Sequence, residues 1–417
     1  MSGVGVVLGG DYAAVHRESS STLVRGLVSW TGLDPRAGAT SLDRLPCCDP
    51  EVVGDIVGLL ASSPDRWSRP VTPSGRTAAD VCAGFLSALL GEPDETLTIA
   101  VPDRWFGTPT LSLAADRLTR LLDSAPTLAP YSCCVTAGLS EQGSALVCHV
   151  DQTRVDVGLC DTDGDTIRLV DIGSAAFPDV VQQLADAAQP PSGHEPDQLR
   201  EAILRCLAPQ SDRARTAVRH WRAARAYAPV VAGVRYQVPA GAVLDASDAV
   251  ASALTTALQG RSAANVVRIG SLSPLPIVGD VLGATAITAT ALTAARGAAW
   301  LTNFSVGQGH DVTLRVNQIR GGRPLTADLP LLAADRPPWL DDGATPLVVV
   351  DDDFPGLVEL DVRPLSGPAS RWDARVTDLR PGDYRVRVRM SRHRPEALVL
   401  RPADGGTERV LLLQEAT

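Results

Sequence analysis

The sequence predicts an α/β domain over residues 1–305, a short linker at 306–311 and an all-β domain over 312–417. Three observations lead to that division. Val266, Val267 and Ile269 form an apolar run of strand length, a Gly/Ser/Pro turn interrupts it, and an alanine-rich stretch ends in Ala294-Ala295-Arg296-Gly297-Ala298-Ala299, so the segment reads as strand, turn and long helix. Apolar runs at 145–150 and 155–159 flank the polar Asp151-Gln152-Thr153-Arg154 and read as a hairpin. Near Val306 the alanine-rich helices stop and short alternating strands begin.

Residues 4–8, Gly9-Gly10-Asp11 and Ala13-Ala14-Val15 read as strand, tight turn and strand. Apolar residues recur at helical spacing over 49–60 and 77–90, with a polar, proline-punctuated connection at 66–76. A strand at 96–102 leads to Trp105-Phe106, a helix covers 111–122, and Ala129-Pro130 and residues 133–139 follow. Asp161-Thr162-Asp163-Gly164-Asp165 has the composition of a calcium loop, but its glycine comes too early and its twelfth position is Ile172. Asp-Gly makes it a turn between strands at 155–160 and 166–172.

Residues 189–197 are rich in Pro, Gly and Ser and read as an exposed loop. Helices are expected at 198–207 and 211–227, the second presenting Arg213, Arg215, Arg219, Arg222 and Arg225 as a solvated face. A strand at 231–238 and a helix at 246–258 lead to the strand-turn-helix described first. Beyond residue 311, strands are expected at 312–319, 347–350, 357–362, 372–376, 384–390, 397–400 and 410–413, most simply arranged as a sandwich. Along Tyr384-Arg385-Val386-Arg387-Val388-Arg389-Met390 the apolar and arginine side chains should point to opposite faces.

At 417 residues the chain exceeds one typical core, so two or three lobes are expected. The net charge of −10 argues against a nucleic-acid binder, because a polyphosphate backbone demands a basic field. All 38 cationic residues are arginine, which excludes a P-loop lysine and Schiff-base chemistry. Met1 runs straight into Val4-Gly5-Val6-Val7-Leu8 with no basic n-region, and the apolar stretch 277–301 carries Asp280 and Arg296, so a cytoplasmic protein with neither signal peptide nor membrane span is expected. The eight cysteines lack zinc spacing and are expected to be buried, reduced thiols. No G-x-S-x-G, G-x-G-x-x-G or H-E-x-x-H is present.

The two hairpins, the Val101-Pro102 strand, and Val266-Val267-Arg268-Ile269-Gly270-Ser271-Leu272-Ser273-Pro274 with its Ala-Arg-Gly-Ala-Ala helix together resemble the DnaK-type heat-shock chaperones, in the order that family keeps them. The resemblance spans residues 4–300 and implies the two-lobed actin-like ATPase fold, a ribonuclease H-like architecture, with the β domain standing where the family keeps its substrate-binding domain. It places Gly9, Gly10 and Asp11 at the first phosphate hairpin, Asp151, Gln152 and Thr153 at the second, Arg222 and Arg225 at the nucleotide sugar, and Gly270, Ser271 and Pro274 at the adenosine end.

The chemistry implied at those positions is replaced. Val7 and His149 stand where the family has its metal-linked aspartates, Ala129 where it has the glutamate that positions water, and Gly10 and Asp11 where it has two threonines. Asp151, Gln152 and Thr153 replace three glycines whose amides approach phosphate. Arg222, Arg225 and Pro229 replace a Glu, a Lys and a Ser at the sugar, Pro274 replaces the adenine-stacking arginine, and Ala291 replaces an aspartate near the Gly-Ala helix. Asp156 matches an aspartate that the family retains on its second strand. Phosphoryl transfer depends on metal and cationic groups that offset phosphate charge.

The expectation is therefore a catalytically inactive pseudo-ATPase without cofactor or metal, serving as a scaffold for a protein partner or client polypeptide. Two other readings stay open. One is an active ATP-dependent chaperone with magnesium on Asp11, Asp151 or Asp156; the other is an ATP-independent holdase whose β domain captures extended segments by strand addition.

Overall fold

The structure, a computed structural model, describes residues 3–9, 12–18, 20–31, 33–38, 51–91, 97–140, 143–163, 166–187, 230–231, 234–235, 240–283, 285–305, 310–320, 323–332, 347–351, 356–364, 368–376, 379–391, 394–403, 407 and 409–416. The chain is mixed α/β and divides into two compact units: Met1–Cys160 with Leu169–Thr302, and Asn303–Thr417 with Asp161–Arg168.

The first unit opens with β1 (Val4–Leu8), β2 (Tyr12–Arg17) and β3 (Ser20–Arg25). A small three-stranded sheet of β4 (Leu27–Thr31), β5 (Asp34–Ala37) and β6 (Val53–Gly54) follows, then the short helices α1 (Ile56–Leu60) and α2 (Pro64–Ser68). Helix α3 (Ala78–Leu90), β7 (Leu97–Val101), α4 (Pro109–Leu122) and β8 (Thr127–Pro130) complete this half. The main sheet has the order β3-β2-β1-β7-β8, with β1 antiparallel to β2 and parallel to β7. Every residue of β1 and β7 is buried, as expected of central strands covered on both faces. Helix α3 starts at a Thr77/Asp80 capping box and turns Val81, Cys82, Phe85, Leu86 and Leu89 inward at helical spacing.

Helix α5 (Tyr131–Leu139) leads to a second half: β9 (Gly143–Val150), β10 (Arg154–Asp163), β11 (Thr166–Ala176) and α6 (Val180–Ala187), then the paired two-residue strands β12 (Val230–Val231) and β13 (Val234–Arg235). After them come α7 (Ala240–Leu258), β14 (Asn265–Ile269), α8 (Pro276–Leu282), β15 (Ile287–Thr288) and α9 (Ala291–Ser305). This sheet has the order β11-β10-β9-β14-β15, with β14 parallel to both β9 and β15. Counted in chain order, the two main sheets share one arrangement: three strands run outward from the centre, then two parallel strands extend the other side.

Glycines set how closely these parts approach. A Cβ on Gly5 of β1 would lie 2.0 Å from the Ala295 carbonyl oxygen of α9, and one on Gly297 of α9 would lie 1.8 Å from the Cys134 carbonyl oxygen of α5. A Cβ on Gly138 of α5 would lie 2.0 Å from the Thr293 carbonyl oxygen. Backbones therefore touch directly where α5, α9 and β1 cross, which only residues without a side chain permit.

The second unit holds β16 (His310–Arg320), β17 (Arg323–Leu332), β18 (Leu347–Val350), β19 (Leu357–Pro364), β20 (Ser370–Arg375), β21 (Gly382–Ser391), β22 (Arg394–Pro402), β23 (Arg409–Leu412) and β24 (Gln414–Glu415). They form two sheets, β17-β16-β19-β20-β24 and β18-β21-β22-β23, which share one buried cluster including Leu314, Leu360, Val386 and Leu398. The alternation expected along β21 is present: Tyr384, Val386 and Val388 are buried and Arg385 is exposed.

Several elements differ from the sequence-based expectation. The helix expected over 49–60 is confined to Ile56–Leu60, because Asp55 adopts a left-handed conformation and caps it while Val53–Gly54 pairs with β4. The connection at 66–76 begins inside α2, which Ser63 caps and Pro64 starts. The strand expected over 231–238 is a pair of two-residue strands in its described part, and α7 begins six residues before the expected 246.

The single long helix ending at Ala299 is two helices. Gly283 ends α8, and the β-branched Ile287–Thr288 joins the sheet beside β14 before α9 begins. Strand β17 was not anticipated, its prolines and charges masking the pattern. The loop at 189–197, the helices at 198–207 and 211–227 with Arg222 and Arg225, Pro229, Gly10, Asp11, Cys47, Cys48 and Cys206 lie outside the described residues. Cys82, Cys133, Cys134, Cys148 and Cys160 are buried and free. No helix among the described residues is long and apolar enough to cross a membrane.

Gly297→Ala should destabilise the first unit by roughly 3 kcal/mol, through enforced separation of α5 and α9. Gly279→Ala in α8 should be neutral or stabilising, since its Cβ meets only the flexible Arg268 guanidinium at 3.1 Å. Urea unfolding of both variants checks the contrast; equal effects would contradict a backbone-contact crossing.

Candidate functional site

A cavity of about 330 Å³ opens where the turn after β1 faces the turn after β9. Leu8 and Gly9 contribute from the first turn, and His149, Asp151, Gln152, Thr153 and Arg154 from the second. Asp55, Val57 and Gly58 line it from the start of α1, Arg104 from the segment after β7, Tyr131 from α5 and Asp179 from the approach to α6.

Each turn is fixed by its own backbone. The Gly9 N–H donates to the Tyr12 carbonyl at 3.0 Å, and the Asp151 N–H donates to the Arg154 carbonyl at 2.9 Å. The carbonyls of Gln152 and Thr153 accept from Val180 at 3.3 Å and Phe177 at 2.8 Å, tying the second turn to the chain entering α6. Sequence reasoning placed Gly9, Asp151, Gln152 and Thr153 in one cleft, and all four line this cavity.

The second turn carries an internal ion pair. His149 Nε2 lies 3.2 Å from Asp151 Oδ1, with the two side chains 15% and 28% exposed. The imidazole stacks on Tyr131 with ring centroids 4.5 Å apart and planes inclined by 15°. Burial opposes the imidazolium, but the adjacent Asp151 carboxylate outweighs it and the His149 pKa rises above its ordinary value. Burial likewise works to raise Asp151, and is outweighed by His149, Arg104 and a hydrogen bond from the Ser271 N–H, so the Asp151 pKa falls.

That bond joins the second turn to the segment after β14. The Leu272 N–H donates to the Val150 carbonyl at 3.0 Å. Gly270 has φ +109°, and a Cβ there would lie 2.4 Å from the Val150 carbonyl oxygen and 2.9 Å from the His149 ring. Gly270 and Ser271 thus support the second turn from behind, while Pro274 falls in the 3.0 Å Leu275-to-Leu272 backbone turn that leads into α8. The hydroxyls of Ser271 and Ser273 are buried without a hydrogen-bond partner among the described residues.

Sequence reasoning did not single out Asp55, Arg104, Tyr131, Arg154 or Asp179. Asp55 was hidden inside the helix expected over 49–60; the Asp179 carboxylate accepts from the Gln182 N–H at 2.9 Å at the head of α6, in a stretch with no recognisable motif. Burial is the main cause of a raised Asp55 pKa. Arg104 donates to Asp156, whose other oxygen accepts from Ser174 Oγ at 2.6 Å, and Arg154 donates to the same Ser174 hydroxyl at 3.1 Å.

Deeper in, Asp103 accepts from the Ser132 backbone N–H at 3.0 Å and from the Ser132 hydroxyl. Burial drives the Asp103 pKa to about 6 against the pull of those two bonds. A Cβ on Gly158 would lie 2.2 Å from Ser132 Oγ, so β10 also needs a glycine here.

The chemical consequence is a cleft in which two of the three cationic side chains are already paired with carboxylates. His149 is held by Asp151 and Arg104 by Asp156, while Arg154 is bonded to Ser174. A phosphate entering between the turns would meet Asp151 already paired with His149, and would have to displace that pairing. Among the described residues no group of three His, Cys, Asp or Glu side chains is placed to hold a metal ion.

The ion pair has a defined pH signature. A histidine with a raised folded-state pKa stabilises fully below its ordinary 6.5, and that share is lost as pH rises through the raised value. An aspartate with a lowered pKa stabilises above its ordinary 3.8, and that share is lost as pH falls through the lowered value. Asp151→Asn should therefore cost about 1.5 kcal/mol at pH 5.5 and distinctly less at pH 8.5. Thermal unfolding of variant and parent at both pH values measures it; an equal loss at the two would show that His149 does not change charge between them.

No protein-family model matches the chain, and no curated protein matches it.

Proposed function

We propose that the chain is a catalytically inactive, DnaK-like pseudo-ATPase whose two-lobed, actin-like domain serves as a protein-interaction scaffold, followed by a β-sandwich. The two main sheets of identical strand order support the two-lobed reading, because a repeated half-domain with a cleft between its first turns is what the resemblance implies. The two facing sheets with one shared buried cluster support the sandwich.

The observation that carries the functional reading is the His149–Asp151 pair in the second turn. An active site would need open amides and free cationic charge there. The competing active-chaperone reading requires Asp11, Asp151 or Asp156 to hold magnesium. Asp156 is engaged on both oxygens by Arg104 and Ser174, and Asp151 by His149, which weighs against it.

The holdase reading keeps one observation in its favour. Among the described residues strand β18 is the edge of its sheet, and Leu347 and Val349 on it are 55% and 69% exposed. If it operates, the full chain suppresses aggregation of a denatured client and Val349→Asp weakens that suppression severalfold. A scaffold instead captures one defined partner and is indifferent to the substitution.

Calorimetric titration of the full chain with ATP and ADP, with and without magnesium, tests the primary reading. No saturable heat is expected up to millimolar nucleotide. Magnesium-dependent ATP hydrolysis at a chaperone-like rate, abolished by disrupting the turn at Gly9, would overturn it.

A further inference from the structure

The second unit contains a cavity of about 500 Å³ with walls from both of its sheets. Leu314 and Val358 line it from one sheet, and Val348, Val386 and Leu398 from the other. The cavity is partly open to solvent, and polar and apolar surface contribute to its walls in nearly equal shares. The volume falls within the range of roughly 300–1,000 Å³ occupied by small-molecule sites, and an apolar body with a few polar groups is the usual composition of such sites.

Polar groups contribute to the same lining, and their charges are unequal. Arg315, Asp351 and Glu359 supply the charges. Arg315 is held at 3.3 Å by Glu359 and at 3.0 Å by Asp361, so its charge is offset. Asp351 is exposed at the end of β18, and among the described residues no cation pairs with it. The charge of the described lining residues is thus net negative, and it disfavours an anionic head group while attracting a cationic one.

We infer that this cavity is a binding site for a small amphiphilic cation, an alkyl or aromatic body carrying an ammonium group, with the body between the sheets and the ammonium at Asp351. The site lies wholly within the second unit and is independent of the nucleotide-cleft reading. The ligand class follows from aliphatic side chains of both sheets joined to one carboxylate that no cation pairs with among the described residues, whereas a fatty acid would bring its own negative charge to that carboxylate.

Calorimetric titration of the full chain with octylammonium chloride and, separately, with sodium octanoate tests the assignment at low ionic strength. Octylammonium should bind saturably, one per chain, with an affinity at least about tenfold above that of octanoate. Raising the salt should shrink that preference. Asp351→Asn should abolish it while leaving the apolar contribution in place. Val358→Phe and Val348→Phe, which fill the cavity from opposite walls, should each weaken octylammonium at least about tenfold; two variants are used so that misfolding of one does not decide the outcome. Equal affinity for the two probes, no saturable binding by either, or full binding by a folded cavity-filled variant would overturn the proposal.

Discussion

The contact on which the first unit depends is the direct crossing of backbones at Gly5, Gly138 and Gly297. Helices α5 and α9 meet with a glycine of each against a carbonyl of the other, and α9 presses Ala295 and Ala299 onto Gly5 of the central strand β1. Two sheets of equal order are held against one another through this crossing, so the separation of the two turns that face the cavity is set by it. An added methyl group at any of the three glycines has no space to enter, and interiors this dense transmit the displacement to their neighbours. The alanine-rich character of α9 follows from the same requirement, since only small side chains let helices approach to backbone contact.

The cleft inherits its shape from that scaffold and its chemistry from a few side chains at the tips. The turn after β9 keeps a tight backbone geometry, closed by the Asp151-to-Arg154 hydrogen bond, yet carries a carboxylate and not an open row of amides. His149 neutralises that carboxylate, Tyr131 fixes the imidazole plane, and Ser271 supports it from behind. The Asp151 carboxylate is thus already partnered, and an incoming anion would have to displace His149 from it.

In the second unit the balance is different. Its two sheets bury one continuous cluster, and a partly open cavity lies between β16, β18, β19 and β21 among the described residues. The alternation along β21 fixes which residues face inward, and β18, the edge among the described strands, leaves Leu347 and Val349 in solvent.

Strands with a strong period or a continuous apolar run were legible from the chain alone. Strand β1, β7, the β9–β10 hairpin, β14 and most of the second unit fall where the pattern put them, because burial on one or both faces dictates residue type directly. The gathering of Gly9 with Asp151, Gln152 and Thr153 was also legible, through motif order. What the sequence did not disclose were elements whose state depends on a distant partner. Val53–Gly54 is a strand only because β4 lies beside it, and Ile287–Thr288 breaks a helical composition only because β14 offers a free edge. Asp55, Arg104 and Asp179 reach the cavity from three separate segments, and no local spacing encodes that convergence. The sequence by itself determined which segments could be buried strands. The tertiary structure decided which of those segments pair and which charges neutralise one another, because both depend on distances between residues far apart in the chain.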